Sequence, residues 1–115
     1  MIKNALITGT KLGYSNGILT FYLHLDFGGA GIGFGGYALD RYDINKEKRV
    51  PSEKSILCIS EILKVLKVDT WEELPGKYCR VEIEPDDLTG RCTGKLFNIL
   101  TDDYLDIPSI FNKDA

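Results

Sequence analysis

The sequence predicts an α+β domain: an antiparallel sheet, in the order β-β-β-α-β-β, packed on one main helix. Three observations predict it. Ile18 to Phe27 alternates apolar and mixed residues with period two. Ile56, Ile59, Ile62, Leu63 and Leu66 fall on one face of a helix. Lys77 to Glu84 and Cys92 to Leu100 flank a turn and read as a second hairpin. With 115 residues, no internal repeat and no linker, residues 1–115 are expected to form a single domain.

The first strand is expected from Ile2 to Leu12. Asn16-Gly17 is a strong hairpin signal, because both residues tolerate the positive φ of a type I′ turn. In the second strand Leu19, Phe21, Leu23, Leu25 and Phe27 form the buried face. Ile18, Thr20, Tyr22, His24 and Asp26 form the other, so Thr20→Ala is expected to cost less than ~1 kcal/mol. Six of the chain's 12 glycines follow between Gly28 and Gly36, and read as a wide or bulged loop. Tyr37 to Asp40 resumes strand character as a third strand.

Arg41 to Val50 is charged and reads as a surface loop. Ser52 is a helix N-cap candidate, Glu53 suits the first turn, and the helix runs to about Lys67. Its apolar face is expected on Leu19, Phe21, Leu23, Val81 and Ile83, with the remaining apolar positions able to close the sheet toward a small half-barrel. Asp69 or Thr70 can cap a short turn over Trp71 to Leu74, which Pro75-Gly76 stops. Residues 85–90 read as a turn. In the tail, Ile107, Ile110 and Phe111 suggest docking before the end frays.

Composition bounds the function. Fourteen Lys and Arg against 17 Asp and Glu give a net charge of −3 and a pI near 5.1. Proteins that hold nucleic acid by its phosphates show a basic face, so direct nucleic-acid binding is not expected. No apolar run approaches the ~18 residues of a membrane span. The N-terminus lacks the pattern of a secretory signal, so a cytoplasmic location is expected. Cys58, Cys79 and Cys92 have no close-spaced pair and read as small buried hydrophobes in a reducing compartment.

No catalytic constellation stands out, so no enzyme activity is expected. Gly31, Gly33 and Gly36 match the letters of a dinucleotide fingerprint, but no helix follows them to receive a pyrophosphate. His24 is the only histidine, so neither a His-rich metal site nor a histidine dyad can form. Glu82, Glu84, Asp86 and Asp87 lack the spacing of a cation loop. Neither a metal nor any other cofactor is expected. The contact candidates are Gly29, Gly31, Gly33, Phe34, Gly35, Gly36, Tyr37 and Asp40, since aromatics among glycines form interaction surfaces. The acidic group at 82, 84, 86 and 87 is a second candidate, able to imitate a phosphate backbone toward a basic groove.

Gly17-Ile18-Leu19-Thr20, Leu23-His24-Leu25-Asp26-Phe27-Gly28-Gly29, Gly33-Phe34-Gly35-Gly36-Tyr37-Ala38-Leu39-Asp40 and the run from Val68 to Lys77 resemble a family of small, mostly uncharacterised proteins of tailed phages and prophages. The resemblance covers roughly residues 1 to 105. Its most specific part is the glycine stretch with the following Tyr-x-Leu-Asp. The chain departs from it at Ser15 and Asn16, where members often carry an acidic residue and a histidine, and at Ile32, where a polar residue is common. By analogy the resemblance implies a non-catalytic accessory protein that binds and inhibits a host protein, such as a CRISPR or other defence system. The alternative is a protein that binds a signalling nucleotide, with Tyr37 or Phe34 stacking on a base. Homo-oligomerisation is left open by the sequence.

Overall fold

Asn16 and Gly17 carry positive φ, 51° and 81°, so β1 (Ile2–Ser15) folds straight back into β2 (Ile18–Asp26). The molecule, a computed structural model, is described over residues 1–84 and 91–111. The remaining elements are β3 (Gly31–Ala38), β4 (Asp40–Asp43), β5 (Lys48–Pro51), α1 (Glu53–Leu66), a 3-10 turn (Trp71–Glu73), β6 (Tyr78–Ile83), β7 (Cys92–Asn98), β8 (Tyr104–Asp106) and α2 (Ile107–Phe111). Six strands form an antiparallel sheet in the order β3-β2-β1-β6-β7-β8, and β4 pairs with β5. The fold is α+β with one main helix, and the sheet does not close into a barrel.

The sheet nevertheless curls. β1 is bulged between Ile7 and Gly9. In β3, Gly36 and Tyr37 together stand opposite Phe21. In β7, residues 93 to 95 stand opposite Glu82. Each bulge bends its strand and sharpens the twist. The result brings β3, at one edge, beside β7, near the other. Phe21, Leu23, Leu25, Phe34, Val81 and Leu96 fill the concave side.

Three expectations about secondary-structure elements need correction. The glycine segment is not a loop: Gly31 to Gly36 is most of β3, and the turn before it is Phe27 to Ala30, closed by the Phe27 N–H donating to Ala30 O at 2.8 Å. The stretch 41–50 is not a plain loop but the β4–β5 hairpin. Its tie is Asp40, whose carboxylate accepts from Arg49 Nη2 at 2.8 Å, Arg49 Nε at 3.0 Å and the Leu19 N–H at 3.1 Å. The helix presents Ser55, Cys58, Ile62, Val65 and Leu66 to the core and leaves Ile56 74% exposed. Its main neighbours are β7, β8 and α2. Small Ser55 and Cys58 let the helix sit close, and this rotates the larger Ile56 outward.

Other local signals act as expected. The Ser52 side chain accepts the Lys54 N–H, and Thr70 and Glu73 form a capping box. Lys67 ends the helix with φ 60°. β8 was not anticipated. It is held through Asn98, whose Nδ2 donates to Val65 O at 2.8 Å and whose Oδ1 accepts the Leu100 and Thr101 N–H groups. One buried amide thus satisfies a helix-end carbonyl and shapes the β7–β8 turn.

Leu23 is fully buried, so Leu23→Ala should cost ~2–5 kcal/mol in urea unfolding. Thr20 is only 3% exposed, and its hydroxyl donates to Tyr37 O at 2.7 Å. Thr20→Ala should therefore cost ~1–3 kcal/mol, more than the sequence suggests, because a part-buried carbonyl loses its donor. A cost near zero would show that Tyr37 O finds water instead.

The hydrogen bond from Arg49, then that from the Leu19 N–H, holds the Asp40 carboxyl below its ordinary 3.8. A depressed carboxyl stabilises the fold fully above its unfolded value. That stability is lost as pH falls below 3.8 toward the folded value. Asp40→Asn should therefore flatten this part of the acid-unfolding curve. Parallel curves for variant and wild type would refute the role of Asp40.

Candidate functional site

β3 is an edge strand, and the hydrogen-bond pattern fixes which of its backbone groups are free. Phe27–Ala30 is a hydrogen-bonded pair at the turn. Bonded and non-bonded pairs alternate along an antiparallel ladder. Leu25–Ile32 and Leu23–Phe34 are then the bonded pairs, and Asp26–Gly31 and His24–Gly33 the non-bonded ones. So Gly31 and Gly33 direct their N–H and C=O away from β2. Among the described residues no strand pairs with that edge.

A depression flanks the edge on each face of the sheet. On the concave side a cleft of about 330 Å³ lies between β3 and β7. Ile32, Phe34 and Tyr37 form one wall; Arg91, Cys92 and Gly94 form the other. On the outer face a shallow depression of about 570 Å³ runs over Gly29, Gly31 and Gly33, bordered by Thr8, His24 and Asp26. Asp26 accepts the N–H groups of Gly28 at 2.8 Å and Gly29 at 3.1 Å, and these bonds, Gly29 foremost, hold its carboxyl below the usual range. The outer lip therefore carries a fixed negative charge at neutral pH.

Tyr37 bounds the cleft at the bulged end of β3. Its ring stacks on Phe111, with centroids 5.7 Å apart, and on Phe21 at 6.3 Å. A Cβ on Gly94 would strike the Tyr37 hydroxyl and the Pro108 ring, so glycine is required there. Burial, then the charge of Asp106, raises the Tyr37 phenol above its usual value. Burial also pushes the Cys92 thiol up to about 11. Both groups are protonated at neutral pH, and a neutral thiol is a poor nucleophile. Cys58 and Cys79 are pushed up to about 12 by burial.

The expected contact residues separate into two groups. Gly29, Gly31, Gly33 and Gly36 are exposed at the turn or along β3, and Gly35 is half-buried. Phe34, expected as an exposed aromatic, is 2% exposed and belongs to the core. Tyr37 is held by ring stacking and presents only part of its surface. Asp40 is buried against Arg49 and organises the β4–β5 hairpin. In the acidic group, Glu82 is half-buried and Glu84 exposed on or just after β6, while Asp86 and Asp87 lie outside the described residues. Arg91, Cys92 and Gly94 were missed as site residues. Gly94, breaking the alternation of its strand, was the available signal for the β7 bulge.

Among the described residues no cluster of three His, Cys, Asp or Glu side chains could hold a metal ion. No helix among them is long and apolar enough to cross a membrane. Comparisons with known family models, with curated proteins and with solved structures find no match.

The glycines of β3 differ in what the fold asks of them. Gly35 has φ 115°, and a Cβ there would lie 2.7 Å from Phe21 O. Gly35→Ala should cost ~2 kcal/mol or more, from strain and contact together. At Gly33 φ is not positive, and a Cβ would meet only Tyr22 Cδ1 at 3.8 Å. Gly33→Ala should change stability by less than ~0.5 kcal/mol or raise it by up to ~1. Thermal melts of the two variants check this. Equal losses would mean that Gly33 is also a structural requirement.

Proposed function

We propose that this protein is a non-catalytic binding protein of the phage or prophage accessory kind its sequence resembles. It engages a host protein in the bacterial cytoplasm and inhibits it, with defence machinery as the target class. The observation that carries this reading is the free edge of β3, where Gly31 and Gly33 turn unpaired backbone groups outward between two depressions. Edge strands with open hydrogen bonds are templates for pairing with another chain. The protonated Cys92 thiol in the cleft wall supports binding without chemistry. The acidic balance of the chain favours a protein partner over a phosphate backbone.

The nucleotide reading draws less support. Phe34 is in the core, and the Tyr37 ring is stacked on Phe21 and Phe111. The rings on which a base would stack are committed elsewhere. Gly31 and Gly33 lie in a strand, where no helix N-terminus gathers amides around a phosphate.

The experiment is affinity capture from bacterial lysate with the tagged full chain, beside a thermal-shift series with nucleoside triphosphates and cyclic dinucleotides. A host protein should be retained in fixed stoichiometry through gel filtration and lose its activity in the complex. No nucleotide should raise the melting temperature. Tight binding raises apparent stability by RT ln(1 + [L]/Kd), so a rise of several degrees with a nucleotide, and no retained protein, would replace this reading by the other.

A further inference from the structure

We infer that β3 takes up an extended segment of its partner by strand addition along Gly31–Gly33, and that this segment alternates apolar with polar or cationic side chains. The inference rests on the reading of the protein as a protein binder and specifies how that binding is made. Side chains of an added strand point alternately to the two faces of the sheet. Those on the concave side would enter the cleft between β3 and β7, whose walls include Ile32, Phe34, Tyr37 and Cys92. Those on the outer face would lie over Gly31 and Gly33, beside His24 and the carboxylate of Asp26. The first environment combines the apolar Ile32, Phe34 and Cys92 with Arg91, and offers polar and apolar surface in about equal measure. The second is polar and, through Asp26, negative. One free edge between two unlike depressions calls for an amphipathic strand.

Gly33 supplies the independent observation. A glycine in a strand interior weakens it by ~0.5–1 kcal/mol relative to alanine. At Gly33 neither backbone conformation nor packing demands the missing side chain. A bare position on the outer face, at the edge, leaves room for a neighbour's side chain. Cross-strand pairs stabilise a sheet through contacting side chains. Two copies of β3 would set glycines among glycines and bury little, whereas a segment with its own side chains would fill the surface. Tyr37, set against Gly94, ends the cleft, so the docked stretch stops there.

The test uses the full chain and a short capped peptide in which lysine and valine alternate. One control has the same residues in two blocks, and another is N-methylated where its amides would face β3. With the alternating peptide at saturation, hydrogen exchange at the Gly31 and Gly33 N–H groups should slow about tenfold or more. Neither control should slow it. Gly33→Pro removes one outward N–H without breaking a ladder bond and should abolish the effect; Gly33→Ala should keep it. Equal behaviour of all three peptides would overturn the inference, as would protection without peptide that rises with protein concentration, which would identify a second copy as the occupant. If lysate capture succeeds and is insensitive to Gly33→Pro, strand addition fails while the binder reading stands. If capture yields nothing, the binder reading itself fails.

Discussion

The ring of Tyr37 ties the two ends of the curled sheet together, and the candidate site depends on that tie. A row of aromatics runs through it. Trp71 meets Phe21 edge-on at 6.0 Å, Phe21 stacks on Tyr37, and Tyr37 stacks on Phe111. Such pairs contribute ~0.5–1.5 kcal/mol each beyond the area they bury. The row joins the 3-10 turn, β2, β3 and α2, which are far apart in sequence. It exists because the bulge at Gly36–Tyr37 breaks the alternation of β3 and aims Tyr37 inward. The Thr20 hydroxyl holds the Tyr37 carbonyl in that bulge. Without the bulge the edge of β3 would not approach β7, and no cleft would form beside Gly33.

What could be read from the sequence was local. The Asn16-Gly17 turn, the alternation from Phe21 to Leu25, the Ser52 cap and the inward set Cys79, Val81 and Ile83 each follow from neighbouring residues, and each is present. What could not be read was set by distant contacts. Leu19 and Arg49 decide the role of Asp40, so the β4–β5 hairpin looked like a charged loop. The helix face turned on Ser55 and Cys58, whose value lies in being small opposite a sheet, which hydrophobic spacing does not reveal. β8 hangs on one amide, Asn98, whose partners lie in the helix and in the turn. The glycine segment misled for a different reason. Glycine marks both loops and strands that something approaches closely, and only the ladder separates the two.

The same distinction divides the glycines by purpose. Gly35, Gly36 and Gly94 serve the curl. Each has positive φ and would bring a Cβ into close contact with Phe21, Tyr22 or Tyr37. Gly33 serves nothing inside the molecule. Sequence alone had placed Gly33 and Gly35 together, as members of one run. Their difference lies in φ and in the distance to the nearest atom, which follow from the bulge two residues on.

The other open edges strengthen the case that the β3 edge is left open for use. Natural sheets blunt their edges with charge, bulges or shortness. β8 has only three residues. β1 pairs with β6 no further than Leu6, and its far half begins at a bulge and carries Lys11. From Gly31 to Phe34, β3 has no charge, no proline and no bulge. An apolar edge in that condition would invite aggregation. Glycine removes that hazard another way, because its low β-propensity and missing side chain weaken pairing between identical edges. It leaves the N–H and C=O groups intact for a strand that brings its own side chains. Blunting by lysine or proline would have closed the edge to every partner, whereas glycine closes it mainly to itself.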